Sequence, residues 1–183
     1  VLPQLTNIKN AEADGIFINT GEAQVVTILK QYRELRMIQK VFSAGGSNYP
    51  ITVMNLSSPE VVEGVYFLIM YVPDHFDLAG DPAVAEWYYN EYEKQGYPAD
   101  GLGESFHGFD GVLAIADIFE AADCSSNPED LRAAMPELGF AGLSGEYKFT
   151  LNDGHQAFPN IWLTQMVDGK MIVPEFQFNY KYK

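Results

Sequence analysis

With 183 residues, 47% of them hydrophobic, the chain can bury the core of one domain or of two small lobes, so disorder is not its default state. Its 11 basic and 25 acidic residues leave a net charge of -14, a surface that repels phosphate backbones and anionic headgroups and argues against nucleic acid as a partner. Cys124 stands alone, which excludes a disulfide framework or a cysteine-rich zinc site within one chain.

Leu2, Leu5 and Ile8 recur at helical spacing, and "ADGIFINTG" then predicts a buried strand that ends on a glycine turn. Glu22 to Arg36 reads as a helix whose apolar stripe is Val25, Val26, Ile28, Leu29, Tyr32 and Leu35. "KVFSAGG" gives a second short strand, stopped by a glycine pair. "ITVMNLSSPEVVEG" reads as a short helix and loop before a third strand, "GVYFLIMYV", far short of the roughly 20 apolar residues of a bilayer-crossing helix. This alternation predicts an α/β fold with a parallel sheet and helical crossovers.

Asp81-Pro82 supplies an N-cap and a first-turn proline for the helix "AVAEWYYNEYEKQG", which Gly96 closes. Ser105 to Asp123 follows in helical register, and Asn127-Pro128 starts a shorter helix through Leu138. From Gly142 onward, "GEYKFTL", "NIWLTQMV" and "GKMIVPEFQF" alternate as antiparallel strands do. The chain opens on Val1 directly into a helical pattern, without the basic and apolar regions of a signal peptide, so the natural N-terminus and any targeting signal are expected to lie outside the sequence.

The chemical signals are sparse. In "TLNDGHQ" a turn accounts for Asn152, Asp153 and Gly154 without any chemistry, because glycine takes positive φ at no cost and Asn or Asp bonds back to its own backbone. "VDGK" at Val167 to Lys170 repeats the device. The functional alternative is a hydrolase or transferase that uses Asp153 and His155, or Asp110 and His107, which stand three residues apart on one helix face. No nucleophile elbow, phosphate loop, dinucleotide fingerprint or zinc-protease motif is present, and neither a metal nor a cofactor is called for.

Order and spacing carry more than any single motif. The succession "LTNIKNAEADGIFINTGEAQVVTILKQYRELRM", "KVFSAGG", "VEGVYFLIMYVPD", "DPAVAEWYYNEYEKQGYPAD", "SFHGFDGVLAIADIFEAAD" and "GLSGEYKFTLNDGH" resembles the C-terminal half of a type I periplasmic binding protein. The branched-chain amino acid, amide and urea receptors of ABC transporters are the branch it resembles. The resemblance implies Rossmann-like lobes joined by crossing strands. Residues 1–70 would then belong to the second lobe, 71–138 to a crossing and the helices of the first lobe, and 139–183 to a return crossing and closing strands. It also implies an absent N-terminal half, without which the helices from Asp81 to Leu138 keep apolar faces whose natural sheet is missing.

Ligands of open α/β sheets bind beyond the carboxyl ends of the strands, which selects Thr20, Gly21 and Glu22 after the first strand and Ser43, Ala44, Gly45 and Gly46 after the second. The resemblance adds Glu104, Ser105 and Phe106, before the "FDGVLAIADIF" helix. Glu22 also reads as a first-turn carboxylate favoured by the helix dipole, Glu104 as a solvated first-turn acid, and "SAGGS" as a plain loop leaving its strand. Leucine-type receptors carry an acid that pairs with the ligand ammonium where this chain has Gly45, a departure that leaves Glu22 or Glu104 to supply the charge. The implied function is an extracytoplasmic receptor, periplasmic or extracellular and lipid-anchored through the absent N-terminus. It captures a small polar molecule (amino acid, amide or urea-like) between the lobes and passes it to ABC-transporter membrane subunits. A ligand-sensing regulator on the same scaffold is a further reading.

Overall fold

The computed structural model describes residues 1–44, 49–135, 138–148 and 160–177. They form two compact units: Val1–Ile69 with Trp162–Lys183, and Met70–Ile161.

In the first unit, helix α1 (Leu2–Asn10) leads into strand β1 (Gly15–Asn19), α2 (Glu22–Glu34), β2 (Lys40–Ala44), the short helices α3 (Pro50–Asn55) and α4 (Pro59–Val62), and β3 (Tyr66–Ile69). β1, β2 and β3 run parallel, as the alternation of strands and helices predicts. After the second unit the chain returns as β6 (Trp162–Val167) and β7 (Lys170–Ile172), which join antiparallel to complete a sheet of order β1-β2-β3-β6-β7. The hairpin between β6 and β7 turns on Asp168 and Gly169, both at positive φ (50° and 71°), the geometry that matches the right-handed twist of the flanking strands.

One face of this sheet is sealed. Ile16, Ile18, Val41, Ser43, Val65, Phe67, Thr164 and Met166 alternate along their strands and are all buried, with Val25, Val26 and Leu29 of α2 and Val53 and Val62 of α3 and α4 supplying buried apolar partners in the same unit. Phe67 sits at the middle of this layer, fully buried and paired in register with Thr164, whose hydroxyl donates to the Phe67 carbonyl. On the opposite face Phe17 is 62% exposed and Phe42 stacks on Tyr66 at 5.0 Å. β1 forms an edge of the sheet.

The second unit holds α5 (Pro82–Lys94), α6 (Leu102–Ala121), α7 (Pro128–Ala134) and a hairpin of β4 (Gly139–Gly142) and β5 (Gly145–Lys148). Asp81 caps α5, accepting from the N–H groups of Ala83 and Val84, with Pro82 next; Gly96 lies just beyond its end at φ 71°. Asn127 caps α7 in the same way through the N–H of Glu129. The core is aromatic: Tyr71, Tyr88 and Phe106 pack with Ala85, Leu102 and Leu143. α6 buries Leu102, Phe106 and Asp110 at four-residue intervals and leaves Val112, Ile115 and Phe119 exposed, the uncovered apolar helix surface that the sequence leads one to expect.

The boundaries differ from the expected ones in two places, the smaller being that Met70 already belongs to the second unit. Among the described residues, 139–148, 160 and 161 belong to the second unit, not to the closing strands, and the chain enters the five-stranded sheet only at Trp162. Among the described residues β4 and β5 pair with each other alone, and α6 holds them through Asp110.

Candidate ligand site

The strands dictate where a site can form in the first unit. Because β1 and β2 are parallel with Ile18 opposite Ser43 and Asn19 opposite Ala44, their carboxyl ends lie side by side at one rim. The residues that follow β1 and those that end β2 therefore share that rim, which brings Thr20, Gly21 and Glu22 together with Ser43 and Ala44. Gly45 and Gly46 lie outside the described residues.

Gly21 is the N-cap of α2: its carbonyl accepts from the N–H groups of Gln24 and Val25, and no side chain caps the helix. The 13-residue helix thus points its positive end at this rim, a place that favours carboxylate and other anionic groups. Glu22 occupies the first turn and is half-buried, as is Thr20. Ser43 is fully buried at the end of β2, and Ala44 beside it is half-buried. The rim therefore combines one carboxylate, the Thr20 hydroxyl and helix-end amides, a set suited to holding a small polar solute, while the Ser43 hydroxyl stays inside the core.

The opposite rim carries a groove of about 540 Å³ lined by Lys9, Glu12, Asp14, Arg36 and Ile38, among others. It faces the amino ends of β1 and β2 and mixes charges of both signs.

The second unit holds the other three predicted residues on the first turns of α6. Glu104 is exposed, its Oε2 3.7 Å from Nδ1 of His107; partial desolvation raises its carboxyl above the usual range while the imidazole pulls it back. Ser105 is half-buried and shares a hydrogen bond with the Tyr88 hydroxyl. Phe106, 2% exposed, belongs to the aromatic core, with its ring 5.7 Å from that of Tyr71. Of the three, only Glu104 presents its side chain to solvent.

The pair of Asp110 and His107 that the enzyme alternative would use does not form. His107 is on the surface, turned toward Glu104, whereas Asp110 is 3% exposed and accepts hydrogen bonds from the N–H groups of Leu143 and Ser144 and from the hydroxyls of Ser144 and Tyr147. A carboxylate committed to four donors is no base for a neighbouring imidazole. Asp153 and His155 lie outside the described residues. Among the described residues no group of three His, Cys, Asp or Glu side chains could hold a metal ion. Sequence reasoning missed the role of Asp110, although its place eight residues after Leu102 and four after Phe106 put it on the buried stripe of α6.

Comparison with known proteins shows the family and the fold. The profile described as "Periplasmic binding protein" matches residues 1–170. The chain belongs to the periplasmic binding protein family. No curated protein sequence matches it. Its fold is that of a leucine binding protein, LivK, from Thermotoga maritima (TM-score 0.75, 21% identity, covering 94% of this chain and 47% of that one). An extracellular ligand-binding receptor from Rhodopseudomonas palustris superimposes with a TM-score of 0.80 at 19% identity, covering 96% of this chain and 52% of that one. A fatty acid ABC transporter substrate-binding protein from Thermomonospora curvata gives 0.76 at 21% identity, covering 98% and 46%. The chain thus spans about half the length of these relatives. Among the described residues no helix is long and apolar enough to cross a membrane.

Proposed function

We propose that this chain is the C-terminal portion of an extracytoplasmic solute receptor. The carboxyl-edge rim of its first unit, Thr20 to Glu22 with Ser43 to Gly46, forms one wall of the ligand site. The receptor takes up an amino acid, amide or urea-like molecule and hands it to the membrane subunits of an ABC transporter, and it performs no reaction. The membership of residues 1–170 in the family carries this reading, and the adjacency of the β1 and β2 ends supports the wall. Glu22 is the carboxylate we assign to a ligand ammonium, since Gly45 offers none. The absent N-terminal half completes the site and lies in the periplasm or outside the cell with it.

A thermal-shift screen of the intact receptor, this chain together with its N-terminal half, against leucine, isoleucine, acetamide, urea and a fatty acid tests the proposal. A solute that binds only the folded form at a hundred times its Kd stabilises by about 2.7 kcal/mol. Glu22→Gln is expected to abolish the shift for amino acids and to spare that for neutral amides. No shift with any of these solutes, joined to a turnover that His155→Ala removes, refutes the receptor reading in favour of an enzyme.

A further inference from the structure

We propose that Asp110 is a positioning residue for the point where the chain leaves the second unit. Its carboxylate accepts from Leu143 N–H at 2.7 Å, Ser144 N–H at 3.2 Å, Ser144 Oγ at 3.0 Å and Tyr147 Oη at 3.2 Å. A buried charge is tolerated when such charge-assisted bonds replace its water, and these four all come from the turn and first residues of the β4–β5 hairpin. Glycine at 142 is part of the arrangement, because a Cβ there would lie 2.6 Å from Asp110 Oδ1.

The same turn faces outward with its carbonyls. Ser144 O accepts the N–H of Asn160 at 3.0 Å, and Gly142 O accepts the N–H of Gly80 at 2.9 Å. Gly145, at φ 129°, leaves room for Asn160, whose Nδ2 would lie 2.8 Å from a Cβ at that position. Asn160 stands two residues before Trp162, where β6 begins and the chain has entered the first unit. The series Asp110, Ser144, Asn160 therefore ties the chain, two residues before Trp162, to the middle of α6. The carboxylate touches no part of the candidate rim, and the inference needs no ligand.

The test uses the full chain in a Trp87→Phe background, which leaves Trp162 as the single tryptophan of the two in the sequence. Asp110→Asn keeps the shape but turns an amide donor toward donors. It is expected to speed the time-resolved fluorescence depolarisation of Trp162 well below the unfolding temperature. It should also raise amide exchange at Ser144 and Asn160 by about ten- to a hundredfold, with Val41 and Phe67 unchanged. Asn160→Pro removes the donor to Ser144 O, together with the side-chain amide beside Gly145, without touching the Asp110 carboxylate, and should reproduce the Trp162 motion with Ser144 still protected; the double variant should add nothing further. Ser144→Ala keeps the carboxylate and its backbone donors, and serves as the milder variant if Asp110→Asn does not fold. A variant of Asp110 or Ser144 that unfolds at lower temperature while Trp162 and Asn160 behave as in the parent overturns the proposal, as do additive effects in the double variant.

Discussion

Two glycines of the second unit are expected to respond to alanine with opposite signs. At Gly80 a Cβ would fall 2.3 Å from the carbonyl oxygen of Gly145 and 2.5 Å from its carbon. Ordinary carbon–oxygen contacts are about 1 Å longer, and the obstacle is backbone, so no side-chain rotamer relieves the overlap. The Gly80 N–H bond to Gly142 O, 2.9 Å long, must stretch if the strand is pushed aside. Overpacking of about 1–3 kcal/mol plus most of one backbone hydrogen bond, about 1 kcal/mol, puts the cost of Gly80→Ala near 3 kcal/mol. At Gly108, inside α6, nothing lies within 4 Å of the added methyl. The substitution removes unfolded-state freedom and improves helix propensity, a gain of about 0.5–1 kcal/mol. Denaturant titration at constant slope compares the two variants with the parent. Gly80→Ala within about 0.5 kcal/mol of the parent, or Gly108→Ala less stable than it, would refute the steric reasoning behind both.

Three further outcomes are expected. Asp81→Ala removes the oxygen that accepts from Ala83 and Val84 at 3.0 and 3.1 Å, and should cost about 1 kcal/mol, with helicity lost first in α5 by amide exchange. Raising pH should weaken the second unit, because burial pushes Tyr147 and Tyr89 up to about 12, helped by the nearby carboxylates of Asp110 and Asp74. Their folded values exceed the unfolded value of 10.0, so this stability is complete below pH 10 and is lost as pH climbs toward 12; unfolding midpoints across that window, read alongside phenolate absorbance, check it. Ile115→Glu on the exposed stripe of α6, where Ile115 is 56% exposed, should leave stability within about 0.5 kcal/mol and reduce concentration-dependent association in sedimentation.

The sequence spoke most clearly where one residue's local geometry decides the structure. Asp81-Pro82 and Asn127-Pro128 begin their helices because a short acceptor and a fixed φ satisfy the helix start without tertiary help. Asp168-Gly169 turns the last hairpin for a similar reason. The rim was legible because parallel strands with right-handed crossovers leave their carboxyl ends together whatever the side chains are. Asp110 was not legible, since its partners lie 33 to 37 positions away and only folding shows that they are donors. For the same reason the segment from Gly142 onward read as closing strands: alternation tells that β5 is a strand but not that it pairs with β4. Phe106 looked like a ligand neighbour by its place in the chain, yet the four-residue spacing from Leu102 commits it to the core.

The margin strand Gly15–Asn19 bears on how this polypeptide is to be handled at the bench. Its stretch "GIFIN" has neither proline nor charge, and with Phe17 outward at the sheet's margin among the described residues it is the strand on which added extended chain is expected to pair when stock is concentrated. A lysine in place of Phe17 is the gatekeeper that would lengthen the shelf life of purified stock while leaving Ile16 and Ile18 in the interior.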